Sequence, residues 1–101
     1  VKQDVKKGWH AHVYQTQWNY VVSGRLRVVL IDNRSESKTH GNIMSFNAGQ
    51  DDLIGYVFPP GILHGYLCVK GPVNIIYGTS GYYDLSDEVR IPLTDFKQSY
   101  I

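Results

Sequence analysis

The sequence predicts an all-β domain, a sandwich or a barrel. Short runs of β-branched and aromatic residues make up almost every ordered-looking segment. Turn residues separate these runs at short intervals, and no stretch keeps a helical period over three turns. At 101 residues the chain is expected to form one domain, residues 1–101, with a modest core.

Taken in order, Trp18 to Val22 (WNYVV) reads as a strand and Ser23-Gly24 as a two-residue turn. Arg25 to Asp32 (RLRVVLID) returns with Leu26, Val28 and Leu30 on one face. That is a hairpin pattern. Asn33 to Gly41 is polar and loop-like. Asn42 to Asn47 alternates as a strand, and Ala48 to Asp52 reads as a turn. Leu53 to Phe58 is a strand stopped by Pro59 and Pro60, and Gly61 permits the turn that follows. His64 to Val69 and Val73 to Thr79 read as a second hairpin across Lys70-Gly71-Pro72. Tyr82 to Ile101 predicts irregular chain, with one short helical turn near Ser86 to Val89.

Composition narrows the function classes. A net charge of +1 gives no field to steer nucleic acid or an anionic membrane, so neither is expected as a partner. Lys2, Lys6 and Lys7 read as a solvated N-terminal strand or arm. The single cysteine, Cys68, lies in an apolar run and reads as core filling; a reducing cytoplasm is the expected compartment. No apolar stretch approaches the roughly 20 residues of a membrane-spanning helix. No signal peptide is visible, and the chain opens on Val1, as a trimmed chain would. Eight tyrosines suit sugar-binding walls, strand surfaces and interfaces alike.

The chemistry concentrates in histidines. His10 and His12, in Gly8-Trp9-His10-Ala11-His12, project to one face of an extended strand. His64 follows the Pro59-Pro60-Gly61 turn on a later strand. His40, in a polar loop, reads as surface. Three imidazoles converging inside a small β-barrel make either a metal site or a general acid/base site.

The spacing His10-x-His12, then Gln17, then Gly24, with Pro59-x-Gly61-x-x-His64 later, resembles the two motifs of the cupin superfamily. That resemblance implies a cupin-like double-stranded β-helix, a jelly-roll barrel. Within it the chain resembles the dTDP-4-dehydrorhamnose 3,5-epimerase family over roughly residues 7 to 95. Lys7-Gly8-Trp9-His10 corresponds to that family's Arg-Gly-Leu-His. Gln17 to Gly24 corresponds to its Lys-Leu-Val-x-Val-Val-x-Gly strand. Phe58 to Tyr66 resembles Ile-Pro-x-Gly-x-x-His-Gly-Phe, and Tyr77 to Tyr83 resembles Tyr-Lys-x-Thr-x-Tyr-Tyr. The Gly-x-His-Ala-His variant is also similar to the related dTDP-sugar 3,4-ketoisomerases, in which both histidines of the pair are implicated in proton transfer.

The resemblance implies an epimerase or isomerase acting on a nucleotide-linked 4-keto-6-deoxysugar by metal-independent proton transfer. His10 would be the base, Tyr77 the acid, and His64 would orient or polarise the sugar, with His12 sharing in proton transfer. Lys7, Gln17, Asn19, Tyr82 and Tyr83 would bind substrate. Lys7 replaces the family's arginine, and Gln17 its lysine near the enolate oxygen. The aspartate that the family pairs with its base histidine is expected beyond the end of this chain. Two alternatives stand beside this one. A divalent transition metal could be held by His10, His12, Gln17 and His64, or the barrel could bind sugar or serve as structure without catalysis. A homodimer is expected, because so short a barrel leaves apolar surface and strand edges to cover.

Overall fold

The computed structural model describes residues 1–49, 52, 55–82 and 84–93. Six strands are joined in one antiparallel sheet: β1 (Lys6–His12), β2 (Gln17–Asp32), β3 (Ile43–Gly49), β4 (Gly55–Phe58), β5 (Ile62–Thr79) and β6 (Glu88–Arg90). A 3₁₀ turn, Leu85–Asp87, leads into β6. The sheet runs β3-β2-β5-β1-β6, and β4 pairs with the first half of β2. The expected all-β jelly-roll architecture is therefore present. No described helix is long and apolar enough to cross a membrane.

The two expected hairpins are absent. β2 runs unbroken through Ser23-Gly24, and β5 runs unbroken through Lys70-Gly71-Pro72. These long strands pair with each other along their whole length, from Gln17 opposite Thr79 to Asp32 opposite Ile62. Their register shifts between Val21 and Leu26, so the glycine-containing segments are bulges that bend a continuous ribbon. Gly24 takes a φ of +77°, and a Cβ there would lie 2.6 Å from the Pro72 carbonyl oxygen. The chain approaches itself too closely for a side chain at that point.

Two further boundaries move. Ala48 and Gly49 belong to β3 rather than to a turn, because the strand continues opposite Leu26 and Arg25. Glu88–Arg90 forms a strand where irregular chain was expected, pairing with His10 to His12. The expected short helical turn is the 3₁₀ turn just before it. The polar loop after β2 is as expected. Arg34, Ser37 and Thr39 all donate to the Asp32 carboxylate, with Arg34 foremost in holding it well below the usual carboxylate range.

Burial on both faces of the sheet holds the strands together. One core packs Val21, Leu26, Val28, Ala48, Tyr56, Phe58, Cys68 and Val73. The second packs Trp9, Ala11, Val29, Ile31 and Leu63. Along β1 the alternation sends Trp9 and Ala11 into the second core and turns His10 and His12 the other way. β4 ends at Phe58, before the prolines, and Gly61 turns at φ +85°. The Gly61 amide donates to the His12 carbonyl at 2.8 Å, which ties this turn to β1.

Candidate active site

Pairing of β1 with β5 places His10 directly opposite His64. Their ring centroids lie 5.8 Å apart, edge to face, and the His12 ring stacks 6.4 Å from His64. The three histidines line one cleft of about 700 Å³ with Gln17, Asn19, Tyr66, Tyr77, Asp87 and Arg90. His10, His12, Gln17, Asn19, His64 and Tyr77 are the lining residues that the sequence singles out. Tyr77 stands opposite Asn19 in the β2–β5 pair, lines the cleft and is 68% exposed.

Each histidine has a different environment. Phe58 covers His64 at a ring distance of 4.6 Å. Burial first, then His10 and His12, lower the His64 pKa to about 3, against a small opposing effect of the Ile62 carbonyl. Its Nδ1 is buried without a hydrogen bond of good geometry. Among the described residues no hydrogen bond occupies the ring nitrogens of His10. Its pKa is lowered by partial burial, then by Arg90, His12 and Lys7, against the opposing pull of Glu88. A neutral imidazole with open nitrogens is a base.

His12 is enclosed instead. Its Nδ1 lies 2.8 Å from Asp87 Oδ2, and its Nε2 lies 2.8 Å from Gln17 Oε1. Asp87 is 2% exposed. Burial alone would raise its carboxyl, but the Tyr14 amide, donating at 2.6 Å, and His12 outweigh it and hold the group below the usual carboxylate range. An aspartate thus pairs with His12, the second histidine of the pair, rather than with His10. Little in the sequence signals that pairing. The one local signal is the Asp84-x-Ser86 turn, in which the Asp84 carboxylate accepts from the Ser86 amide and hydroxyl and presents the 3₁₀ turn.

Of the five expected substrate contacts, Gln17 and Asn19 line the cleft, while Lys7 and Tyr82 do not. Gln17 and Asn19 are buried, and Gln17 Nε2 donates to Asn19 Oδ1, whose own Nδ2 donates to the Tyr56 hydroxyl. These amides hold one another and His12. Tyr82 is 96% exposed and does not line the cleft; its carbonyl accepts from Gln15. Tyr83 lies outside the described residues. Lys7 lines a smaller neighbouring cavity of about 230 Å³ that also touches His10, His64 and Tyr66.

In this arrangement His12 and Gln17 are engaged with each other and with Asp87 rather than turned to a shared metal position. Both nitrogens of His12 are engaged, and Gln17 turns its oxygen to His12. Among the described residues no group of three or more His, Cys, Asp or Glu is arranged to hold one.

Comparison with known proteins identifies the family. A family model described as dTDP-4-dehydrorhamnose 3,5-epimerase matches residues 1–99. The spore coat polysaccharide biosynthesis protein SpsL of Bacillus subtilis (strain 168) is 37% identical over 90% of this chain and 62% of its own length. The crystal structure of a dTDP sugar isomerase from Desulfovibrio desulfuricans G20 superposes with a TM-score of 0.85 at 26% identity, covering 91% of this chain and 60% of that one. NovW, a 4-keto-6-deoxy sugar epimerase from the novobiocin biosynthetic gene cluster of Streptomyces spheroides, superposes with a TM-score of 0.83 at 25% identity, covering 91% and 48%. The chain spans about three fifths of the length of the curated relatives it matches.

Proposed function

Because this chain belongs to the dTDP-4-dehydrorhamnose 3,5-epimerase family, we propose that it epimerises or isomerises a nucleotide-linked 4-keto-6-deoxysugar by histidine-mediated proton transfer, without a metal. The observation that carries the proposal is His10, a neutral imidazole with open nitrogens in the cleft, beside the buried His12–Asp87 pair. A carbon next to a ketone is acidic enough for such a base. His10 takes the proton, the C–H electron pair forms the C=C bond, and the carbonyl π pair moves onto oxygen. The enolate oxygen needs nearby positive charge or donors, and Arg90 and His12 line the same cleft. As the carbonyl re-forms, the C=C electron pair takes a proton from Tyr77, which is reprotonated from water while His10 releases its proton to water. The described position of Tyr77 on the cleft wall supports that role.

The engaged nitrogens of His12 support the metal-free reading, and NovW, by its description, supports a 4-keto-6-deoxy sugar as the substrate class. The buried, free Cys68 fits a cytoplasmic setting.

The test is deuterium incorporation from D₂O into a dTDP-4-keto-6-deoxyhexose. Exchange at a carbon flanking the ketone is expected, and His10→Asn abolishes it. The acid limb of kcat/KM should have its midpoint below 6.5, the ordinary histidine value, because the His10 pKa is lowered. Tight sugar-nucleotide binding with no exchange would make the barrel a binding module. Stoichiometric transition metal, lost on His12→Ala, would overturn the metal-free reading.

A further inference from the structure

Proton abstraction beside a ketone makes an anion, yet the carboxylates in the cleft outnumber its fixed cations. Asp84, Asp87 and Glu88 line it, and among the described residues Arg90 is the one lysine or arginine that does. Position 17, where the resemblance puts a lysine, holds a buried glutamine whose amide is spent on His12 and Asn19. A developing enolate has to find its fixed charge elsewhere.

Strand β6 supplies it. Just past its end, Ile91 exchanges both backbone hydrogen bonds with Trp9, at 2.9 and 3.0 Å. In an antiparallel ladder the neighbouring pair is then the non-hydrogen-bonded one, whose side chains come closest, with Cβ atoms roughly 4.5 Å apart. On this register that pair is His10 and Arg90. Glu88, two residues before Arg90, shares its face and stands opposite His12.

Glu88 fixes the guanidinium. Its Oε2 accepts from Arg90 Nε at 3.0 Å and from Nη2 at 2.6 Å. Both bonds use one edge of the group, and among the described residues Nη1 donates to nothing. A guanidinium has five N–H groups and stays charged, so donors remain for a ligand. The Arg90 side chain is 60% exposed, within reach of a molecule in the cleft. Its charge is already felt at the base: after partial burial, Arg90 does most to lower the His10 pKa. The ketone oxygen is two bonds from the carbon that His10 deprotonates, so a group flanking His10 can meet it.

We propose that Arg90, held by Glu88, is the cation that binds the enolate oxygen, replacing the charge this chain lacks at position 17. Glu88 is its positioning residue. The role rests on the proton-transfer reading of the cleft. As His10 takes the proton, the C–H pair becomes the C=C bond and the carbonyl π pair moves onto oxygen. That oxygen accepts an Arg90 N–H, and Arg90 keeps its protons throughout. The hydrogen bond weakens as the carbonyl re-forms.

The test is steady-state kinetics and deuterium incorporation with a dTDP-4-keto-6-deoxyhexose. Arg90→Gln, which keeps a donor and loses the charge, should lower kcat on the order of 100-fold. KM should change little, because the interaction is made only in the transition state. Arg90→Lys restores the charge without the two-pronged hold on Glu88 and should recover part of the loss. Either variant alone is decisive if the other fails to fold, since a fall in kcat at steady KM is expected of both. The acid limb of kcat/KM should move to higher pH in Arg90→Gln, because a positive neighbour of His10 is gone. A raised KM at unchanged kcat would make Arg90 a ligand of the substrate's phosphates and overturn the proposal. Unchanged kinetics, or Arg90→Lys as slow as Arg90→Gln, would overturn it too. Exchange in the natural protein that Arg90→Gln leaves intact sinks this role and leaves the proposed reaction standing. No exchange in the natural protein sinks the reaction, and this role with it.

Discussion

His64 shows how one side chain ties the site to stability. It is packed under Phe58 and between two other imidazoles, and its folded pKa is lowered to about 3. An unfolded histidine titrates near 6.5. Between those values the unfolded chain binds a proton that the folded chain refuses, so folding stability rises with pH across that window. On acidification the stability falls from about pH 6.5 and keeps falling toward pH 3. Urea midpoints measured at intervals across that range should drop for the natural protein, and the drop should be shallower in His64→Phe. Equal slopes for the two proteins would remove His64 as the cause. At this scale the sequence was legible where spacing acts alone: two histidines one residue apart share a face on any strand. Asp87 was not legible. It reaches His12 only through a three-residue strand, β6, which is too short to show any period.

Elements were legible as strands and illegible as partners. A glycine inside an apolar alternation signals a tight turn or a bulge equally well, and only the partner strand decides which. Ser23-Gly24 and Lys70-Gly71-Pro72 each carry a turn signal, yet the two segments lie opposite each other in one long ribbon. Bending both strands at the same level keeps the ribbon paired while it curves around the cleft. Gly24 is the point of closest approach. A methyl group there would meet the carbonyl oxygens of Pro72 at 2.6 Å and Lys70 at 2.7 Å, at a positive φ. Gly41 makes a useful contrast, with φ +86° and nothing within 4 Å of an added Cβ. Gly41→Ala therefore meets only the left-handed backbone penalty, about 1–2 kcal/mol. Gly24→Ala adds backbone collision to it and should lower the urea midpoint further. Equal losses in the two variants would mean that the bulge relaxes around a side chain.

Across the whole molecule the strand pattern leaves one apolar face uncovered. Trp18, Tyr20 and Val22 alternate outward on β2, with Val57 opposite Trp18 and Ile76 opposite Tyr20. All five are exposed and sit on the outer side of the sheet, while Gln17, Asn19 and Val21 turn inward between them. Contiguous exposed apolar surface of this kind marks an association site more often than it marks a free surface. A net charge of +1 offers little repulsion between copies. We propose that a second copy of this chain covers the face, so that the protein is a homodimer with its clefts turned outward from the contact. Sedimentation velocity should then give a dimer for the natural protein. Val57→Lys should give a monomer, because it places a charge in the middle of the stripe. Val57 points to solvent in the isolated chain, so the variant should keep its fold and its urea midpoint to within about 0.5 kcal/mol once dissociated. A natural protein that sediments as a monomer, or a Val57→Lys variant that stays dimeric, would move the contact elsewhere or remove it.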